Sequence, residues 1–462
     1  MLNNQGVFVL ALDGVPYSFL KDAMNGGLMP NFAALVASDN FRQMNSVQPP
    51  ISSVAWASFM TGKSPGGHGI YGFIERIPEN MEVYVPTAAH LQSETLWSYL
   101  SDQDKKIFSM NVPLTYPPKP VNGITICGFL GTDIAKGTFP AEIGRRLKAD
   151  GYIIDADTVA AREDLPAFAR ELHAVFDKRV ATMWEFFKAD QWDFFMTHIM
   201  ETDRMHHFMW QYMTENHAIW AEYFHAFYRK IDNLIAKIAD RVASTGHLVI
   251  LSDHGFTTLK KEVYLNKWLF DQGYLRFTGE GIPDSLQHIH SDSTAYSLIP
   301  GRIYLNLRGR EKAGTVAPGL EYESIRQELM QKIGNLTDPD TGEKMVRKVI
   351  TREESYMSAC AETYLSGSQP VTDKNDPFYL APDLLVVSED GYDFKGNLWR
   401  KHLTERGPIV GTHTGHDAFV LVRDRKLKRD RFSIIDMMPT ILDLMGIEPP
   451  QGLDGKSVLF GN

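Results

Sequence analysis

The sequence predicts an α/β fold built on a mostly parallel sheet. Short, continuously apolar runs of strand length alternate with longer stretches that carry apolar residues at three- and four-residue spacing. Polar residues, several of them Asp or His, follow directly on these runs.

The strand candidates in chain order are Val7–Leu12, Lys106–Met110, Ile124–Gly128, Phe194–Met200, Leu248–Leu251, Leu384–Val387 and Phe419–Val422. Unbroken apolarity is expected of strands buried on both faces. Leu165–Ala189 and Tyr223–Val242 show the helical period. From Gly273 to Pro382 glycine and proline are frequent, helical stretches look short, and Asp338-Pro339-Asp340-Thr341-Gly342 is a turn cluster. The expected organisation is a core of residues 1–272 and 383–462 with an insertion at 273–382. That insertion is expected to cap the site and set substrate choice, since loops on a rigid sheet usually carry specificity.

At 462 residues the chain exceeds the usual single-domain size, and 44% hydrophobic with 23% charged residues is ordinary globular composition. A net charge of −10 without a dense basic run argues against a nucleic-acid duplex as partner. An acidic protein can still bind phosphate if metal ions supply local positive charge. Cys127 and Cys360 are too few for a disulfide framework or a cysteine metal site and read as buried thiols. No apolar stretch approaches the roughly 18 residues of a membrane span, and no basic leader precedes Val7. A cytoplasmic protein with no membrane partner is the expectation.

In open α/β sheets ligands sit beyond the carboxyl ends of the strands. Asp13 follows Val7–Leu12 and precedes Gly14; Asp253 and His254 repeat the arrangement after Leu248–Leu251 and precede Gly255. A lone strand-terminal Asp is often a turn former, but the repetition favours ligation. Asp203 and His207 are four apart in an expected helix Asp203–Trp210, so both lie on one face and can bind one ion. Periodicity leaves His206 as an equal candidate. His413 and His416 stand in the turn-rich segment Gly411–Asp417. Around Ser52 the chain passes from Pro49-Pro50-Ile51 into a helix that starts at Ser52 or Ser53. Ser52 is then either a plain N-cap or a hydroxyl placed at the positive end of a helix to attack phosphate.

Asp13-Gly14, Ser52 with Thr61-Gly62-Lys63-Ser64-Pro65-Gly66-Gly67-His68-Gly69-Ile70, Asp203-x-x-x-His207, Ser252-Asp253-His254-Gly255 and Gly411-Thr412-His413 together resemble the alkaline phosphatase superfamily. The order and spacing are most similar to its type I phosphodiesterase/nucleotide pyrophosphatase-like branch and to the predicted phosphohydrolase/phosphomutase group. The similarity runs to the tail at Ile435–Leu442 and Asp454-Gly455. An ordered match at every motif is far more specific than any one of them.

The resemblance implies a small-molecule phosphoester substrate and two divalent metal ions, with Asp13, Ser52, Asp253 and His254 around one and Asp203, His207 and His413 around the other. It selects His207 over His206 and His413 over His416, and makes Ser52 a nucleophile that is transiently phosphorylated. Mixed Asp/His ligation suits zinc, with manganese the alternative. His68, Trp56 and the Ile435–Leu442 helix are taken as structural. The Cys/Ser-x-Pro-x-Arg motif of sulfatases is absent, since Val54 and Trp56 occupy its proline and arginine positions. Phosphomutase chemistry is an alternative. A non-catalytic binding protein is disfavoured because neither nucleophile nor ligand is missing. Phe73 stands where nucleotide pyrophosphatases carry a phosphate-contacting asparagine, which weakens a nucleotide reading. Arg76, Arg204, Lys260, Lys261 and Lys401 could replace that donor but read first as surface charges. His288, His290 and Asp292 are further candidates for lining the site.

Overall fold

The computed structural model describes residues 1–37, 39–242, 246–356 and 371–459. They form two compact units, Met1–Lys63 with Thr87–Thr258 and Pro408–Asn462, and Ser64–Pro86 with Leu259–Gly407.

The first unit is built on an eight-stranded sheet. Its strands are β1 (Leu2–Leu12), β2 (Phe41–Met44), β3 (Ile107–Val112), β4 (Gly123–Cys127), β5 (Thr138–Phe139), β6 (Trp192–Ile199), β7 (Gly246–Leu251) and β8 (Ala418–Val422). Their order is β2-β8-β7-β1-β6-β3-β4-β5. The central strands β7, β1, β6, β3 and β4 are parallel, and antiparallel pairing appears only where β8 and β5 join the edges. Residues Val7 to Leu12 are fully buried, as a strand covered on both faces must be. Helices α1 (Ser52–Thr61), α2 (Leu165–Ala189), α3 (Glu201–Thr214) and α4 (Trp220–Val242) belong to this unit. Phe108 stacks on Phe195 with ring centroids 4.2 Å apart, at the centre of a core shared by strands and helices. Cys127 is buried there, and burial pushes its thiol up to about 12, so it is inert. Cys360 lies outside the described residues.

The second unit holds an antiparallel sheet of Ala295–Leu298, Arg302–Leu305, Leu384–Ser388 and Val346–Thr351. The run Leu384–Val387 thus joins this sheet and not the parallel one. A short apolar run has the same pattern in either setting, so periodicity could not separate them. The expected insertion 273–382 lies within this unit. It is less irregular than its glycines and prolines suggest, for it carries the fifteen-residue helix Leu320–Gly334. Arg76–Glu311 and Arg302–Glu75 are buried ion pairs of 2.9 and 2.8 Å that tie Ser64–Pro86 to the rest of the unit. Among the described residues no helix is long and apolar enough to cross a membrane.

Candidate metal centre

The carboxyl ends of β1, β6 and β7 lie level, because Leu12 pairs with Ile199 and Ala11 with Leu251. Asp13, the first turn of α3 and the Ser252–His254 segment therefore emerge together at one sheet edge, where α/β sheets carry their ligands. A ribbon of Gly255–Thr258 and Gly411–Thr414, with Phe256 opposite His413, brings in a residue from far along the chain. Gly14 has φ +66, and a Cβ there would lie 3.1 Å from His254 and 3.3 Å from Asp203. Only glycine allows this close approach without strain.

Six side chains form two groups, Asp13 with Asp253 and His254, and Asp203 with His207 and His413; in each, ligand-type atoms lie within 4.8 Å of one another. The first group is fully buried, whereas His207 and His413 keep 18% and 13% of their side-chain surface. We refer to them as the inner and outer groups.

The histidine tautomers follow from their hydrogen bonds. His254 Nδ1 lies 3.0 Å from the Gly255 carbonyl, His207 Nδ1 3.0 Å from that of Gly411, and His413 Nδ1 3.0 Å from that of Pro50. A carbonyl oxygen only accepts, so each Nδ1 carries the hydrogen and each neutral ring turns its Nε2 lone pair to the site. His207 Nε2 and His413 Nε2 are then 3.0 Å apart, and His413 Nε2 is 3.2 Å from Asp203 Oδ1. Lone pairs so placed repel unless a cation lies among them. In the inner group, Asp253 Oδ2 and His254 Nε2 are buried with no hydrogen-bond partner among the described residues, although buried polar atoms are normally paired.

The carboxylates respond in opposite directions. Burial pushes Asp253 well above the usual carboxylate range, and the charges of Asp13 and Asp203 add to this. For Asp203 burial acts upward too, but the positive charge that His207 and His413 carry when protonated, together with that of Arg204, outweighs it and holds it well below. Asp13 is likewise held low, burial being more than offset by His198 and His254. The buried excess of carboxylate calls for compensating positive charge, which fits divalent ions.

Ser52 is the first residue of α1, and its Oγ donates to Asp13 Oδ1 at 3.1 Å. It is not the N-cap: that position belongs to Ile51, whose side chain makes no capping hydrogen bond. Trp56, buried as expected, also donates its indole N–H to Asp13 Oδ2 at 2.8 Å. His198 Nε2 lies 2.8 Å from the same oxygen. Sequence reasoning passed over His198; the available signal was a histidine inside an otherwise apolar strand run.

His206 points elsewhere: Nδ1 is 2.9 Å from the Gly14 carbonyl and Nε2 2.7 Å from the Tyr228 hydroxyl. His416 is exposed and lies outside both groups. The surface reading fails for Arg204, which is largely buried between Asp155 and Asp203, for Arg76, paired with Glu311, and for Lys261, paired with Asp338. Carboxylate partners offset the burial cost that the surface reading assumed. Lys260 and Lys401 are exposed. His288 and His290 pair with Asp284 and Asp292. His68 is fully buried and accepts the Ile70 N–H on Nδ1 at 3.2 Å.

Burial holds His206 and His68 down to about 3. The unfolded chain protonates each near pH 6.5, so below that pH it binds more protons than the folded one. Stability is therefore full above about pH 6.5 and falls as pH drops, by up to about 1.4 kcal/mol per pH unit for each histidine. Urea unfolding between pH 4.5 and 8 is expected to show this decline, and His206→Gln to flatten it. An unchanged slope in that variant would refute the assignment.

Residues 7–416 match the family model of type I phosphodiesterase / nucleotide pyrophosphatase. No curated protein matches the chain. Among solved structures, phosphonoacetate hydrolase from Sinorhizobium meliloti in complex with phosphonoformate is similar with a TM-score of 0.63 at 16% identity, covering 96% of each chain. The same hydrolase in complex with phosphonoacetate gives 0.64 at 17%, again over 96% of each chain. At this identity the likeness is one of fold.

Proposed function

The chain belongs to the type I phosphodiesterase / nucleotide pyrophosphatase family of the alkaline phosphatase superfamily and is a phosphoric ester hydrolase; from that premise we propose that it works through a phosphoseryl intermediate on Ser52 beside two divalent ions. The inner group would hold one ion together with Ser52, and the outer group the other. The observation that carries this reading is the outer group's geometry, two imidazole Nε2 atoms 3.0 Å apart beside a carboxylate. Its two imidazoles and one carboxylate suit zinc, with manganese second.

When bound, the ions lower the pKa of the Ser52 hydroxyl and offset negative charge on the reacting phosphoryl group. Ser52 Oγ passes its proton to solvent water and attacks phosphorus in line, forming the Oγ–P bond as the bond to the leaving oxygen breaks, and water returns a proton to that oxygen so that it departs as the alcohol. Water then attacks phosphorus on the face opposite Oγ, a new P–O bond forming as the Oγ–P bond breaks; phosphate leaves, and a proton lost by the water returns through solvent to restore the Ser52 hydroxyl. With Nδ1–H held by backbone carbonyls, His207, His413 and His254 would give their Nε2 lone pairs to the ions, which leaves none of them free to act as a general base. The α1 N-terminus adds backbone N–H groups and a favourable dipole for the phosphoryl oxygens.

The substrate is a small-molecule phosphoester, and the segment 273–382 carries the preference among esters. A panel of a phosphomonoester, a phosphodiester and a phosphonate, assayed on zinc- and manganese-loaded protein, is expected to show ester turnover. Anomalous scattering at the metal edges should place two ions at the two groups. Exchanging 273–382 should shift the mono- to diester ratio of kcat/KM by about tenfold or more, equal to 1.4 kcal/mol, with both ions retained. Absence of ester turnover in a protein carrying two ions would overturn the catalytic reading.

A further inference from the structure

Asp13 uses its two oxygens differently. Oδ1 faces the site, 3.1 Å from Ser52 Oγ and 3.5 Å from His254 Nε2. Oδ2 takes the Trp56 indole N–H at 2.8 Å and lies 2.8 Å from His198 Nε2. An ionised carboxylate only accepts, so His198 Nε2 carries a hydrogen and donates it.

His198 is set in place from the sheet. It is opposite Ala11 in the β1–β6 register, two residues before Asp13 on the neighbouring strand. Its ring packs edge-on against Trp56, with centroids 4.8 Å apart at 80°. Both side chains are fully buried, yet among the described residues His198 Nδ1 has no hydrogen-bond partner. Leaving such an atom unpaired costs about 1–3 kcal/mol. An apolar residue would avoid that cost, so what the imidazole contributes at this position is the N–H of its other nitrogen.

We propose that His198, assisted by Trp56, is a positioning residue for the inner metal site. The two N–H groups occupy Asp13 Oδ2, fix the carboxylate plane and present Oδ1 alone to the ion and to Ser52. The inference rests on the two-ion reading given above. It assigns His198 an effect on one ion only, because its ring meets Asp13 and Trp56 and not Asp203, His207 or His413. Outer partners of this kind alter metal affinity by roughly 10- to 100-fold.

Titration of the metal-free protein with cobalt(II), followed by visible absorption, reads this without an activity assay. Wild-type protein is expected to take up two equivalents in separable steps, with Asp253→Asn identifying the inner one. His198→Ala should weaken the inner step by roughly 10- to 100-fold and leave the outer step unchanged. His198→Gln, which returns an N–H near the position of Nε2, should recover most of the loss. Trp56→Phe, which keeps an aromatic ring but removes the second donor, should weaken the same step by a smaller factor. Far-UV circular dichroism checks folding, and if His198→Ala does not fold the Gln and Phe variants carry the test. Wild-type affinity at the inner step in both His198→Ala and Trp56→Phe overturns the proposal; so does His198→Gln binding as weakly as His198→Ala, which would reduce the role to packing. A wild-type chain that takes up no cobalt overturns the two-ion reading itself, and the two failures are thereby distinct.

Discussion

Ser52→Ala is expected to slow ester turnover by roughly four orders of magnitude or more, about 5.4 kcal/mol of transition-state stabilisation, while leaving the protein folded and able to take up both ions. The expectation follows from one hydroxyl. Among the described residues Ser52 supplies the one serine hydroxyl that donates to Asp13 Oδ1, and it stands at the first position of α1. Ser53 is its neighbour and is fully buried. One step along a helix turns a side chain by about 100°, away from the inner group. Ser53→Ala should therefore change activity by only a few-fold, acting through packing. Mass spectrometry of protein quenched in acid during turnover should find phosphate on Ser52. A phosphorothioate monoester made chiral with oxygen isotopes and hydrolysed in water of a third isotope should show net retention, since two in-line displacements each invert. Phosphate on Ser53, or inversion at phosphorus, would sink the assignment.

Removal of divalent metal is expected to abolish turnover and to lower thermal stability in the same titration. Loss of charge stabilisation at a reacting phosphoryl group amounts to several kcal/mol, on the order of a thousandfold in rate or more. The stability effect has a separate cause, because an ion that binds only the folded chain adds about 2.7 kcal/mol at a hundred times its dissociation constant. It should also depend on pH. Asp253 is held high in the metal-free protein by burial and by Asp13, and it must lose its proton to ligate. Metal affinity therefore rises with pH until that proton is gone, and uptake releases protons to buffer. Asp203→Ala or His413→Ala should lose the outer ion, and Asp253→Ala the inner one, as counted by elemental analysis. Full turnover after exhaustive chelation would overturn the metal-dependent mechanism.

The strands were legible because a strand buried on both faces cannot hide its apolar run: Val7–Leu12 and Leu248–Leu251 lie inside β1 and β7. Leu384–Ser388 was legible as a strand but not as a member of an antiparallel sheet, since sheet membership is set by hydrogen bonds to distant chain and not by composition. The helix Leu320–Gly334 was obscured by the glycine and proline that flank it. In the site, the four-residue spacing of Asp203 and His207 placed both on one face of α3, and local pattern could go no further. His206 fits the same face by periodicity, yet it turns to the Gly14 carbonyl and Tyr228.

Which oxygen of Asp13 faces Ser52, why His198 matters, and which nitrogen of each histidine is offered to the site are properties of pairings between residues up to several hundred positions apart. His413 reaches Pro50 and Asp203, and His207 reaches Gly411. A residue's type and its local spacing are written in the chain, so the strands, the motif residues and the kind of chemistry could be read from it. The direction in which a side chain presents its lone pair depends on β-sheet register and backbone carbonyls brought in from elsewhere, and these exist only once the sheet has formed.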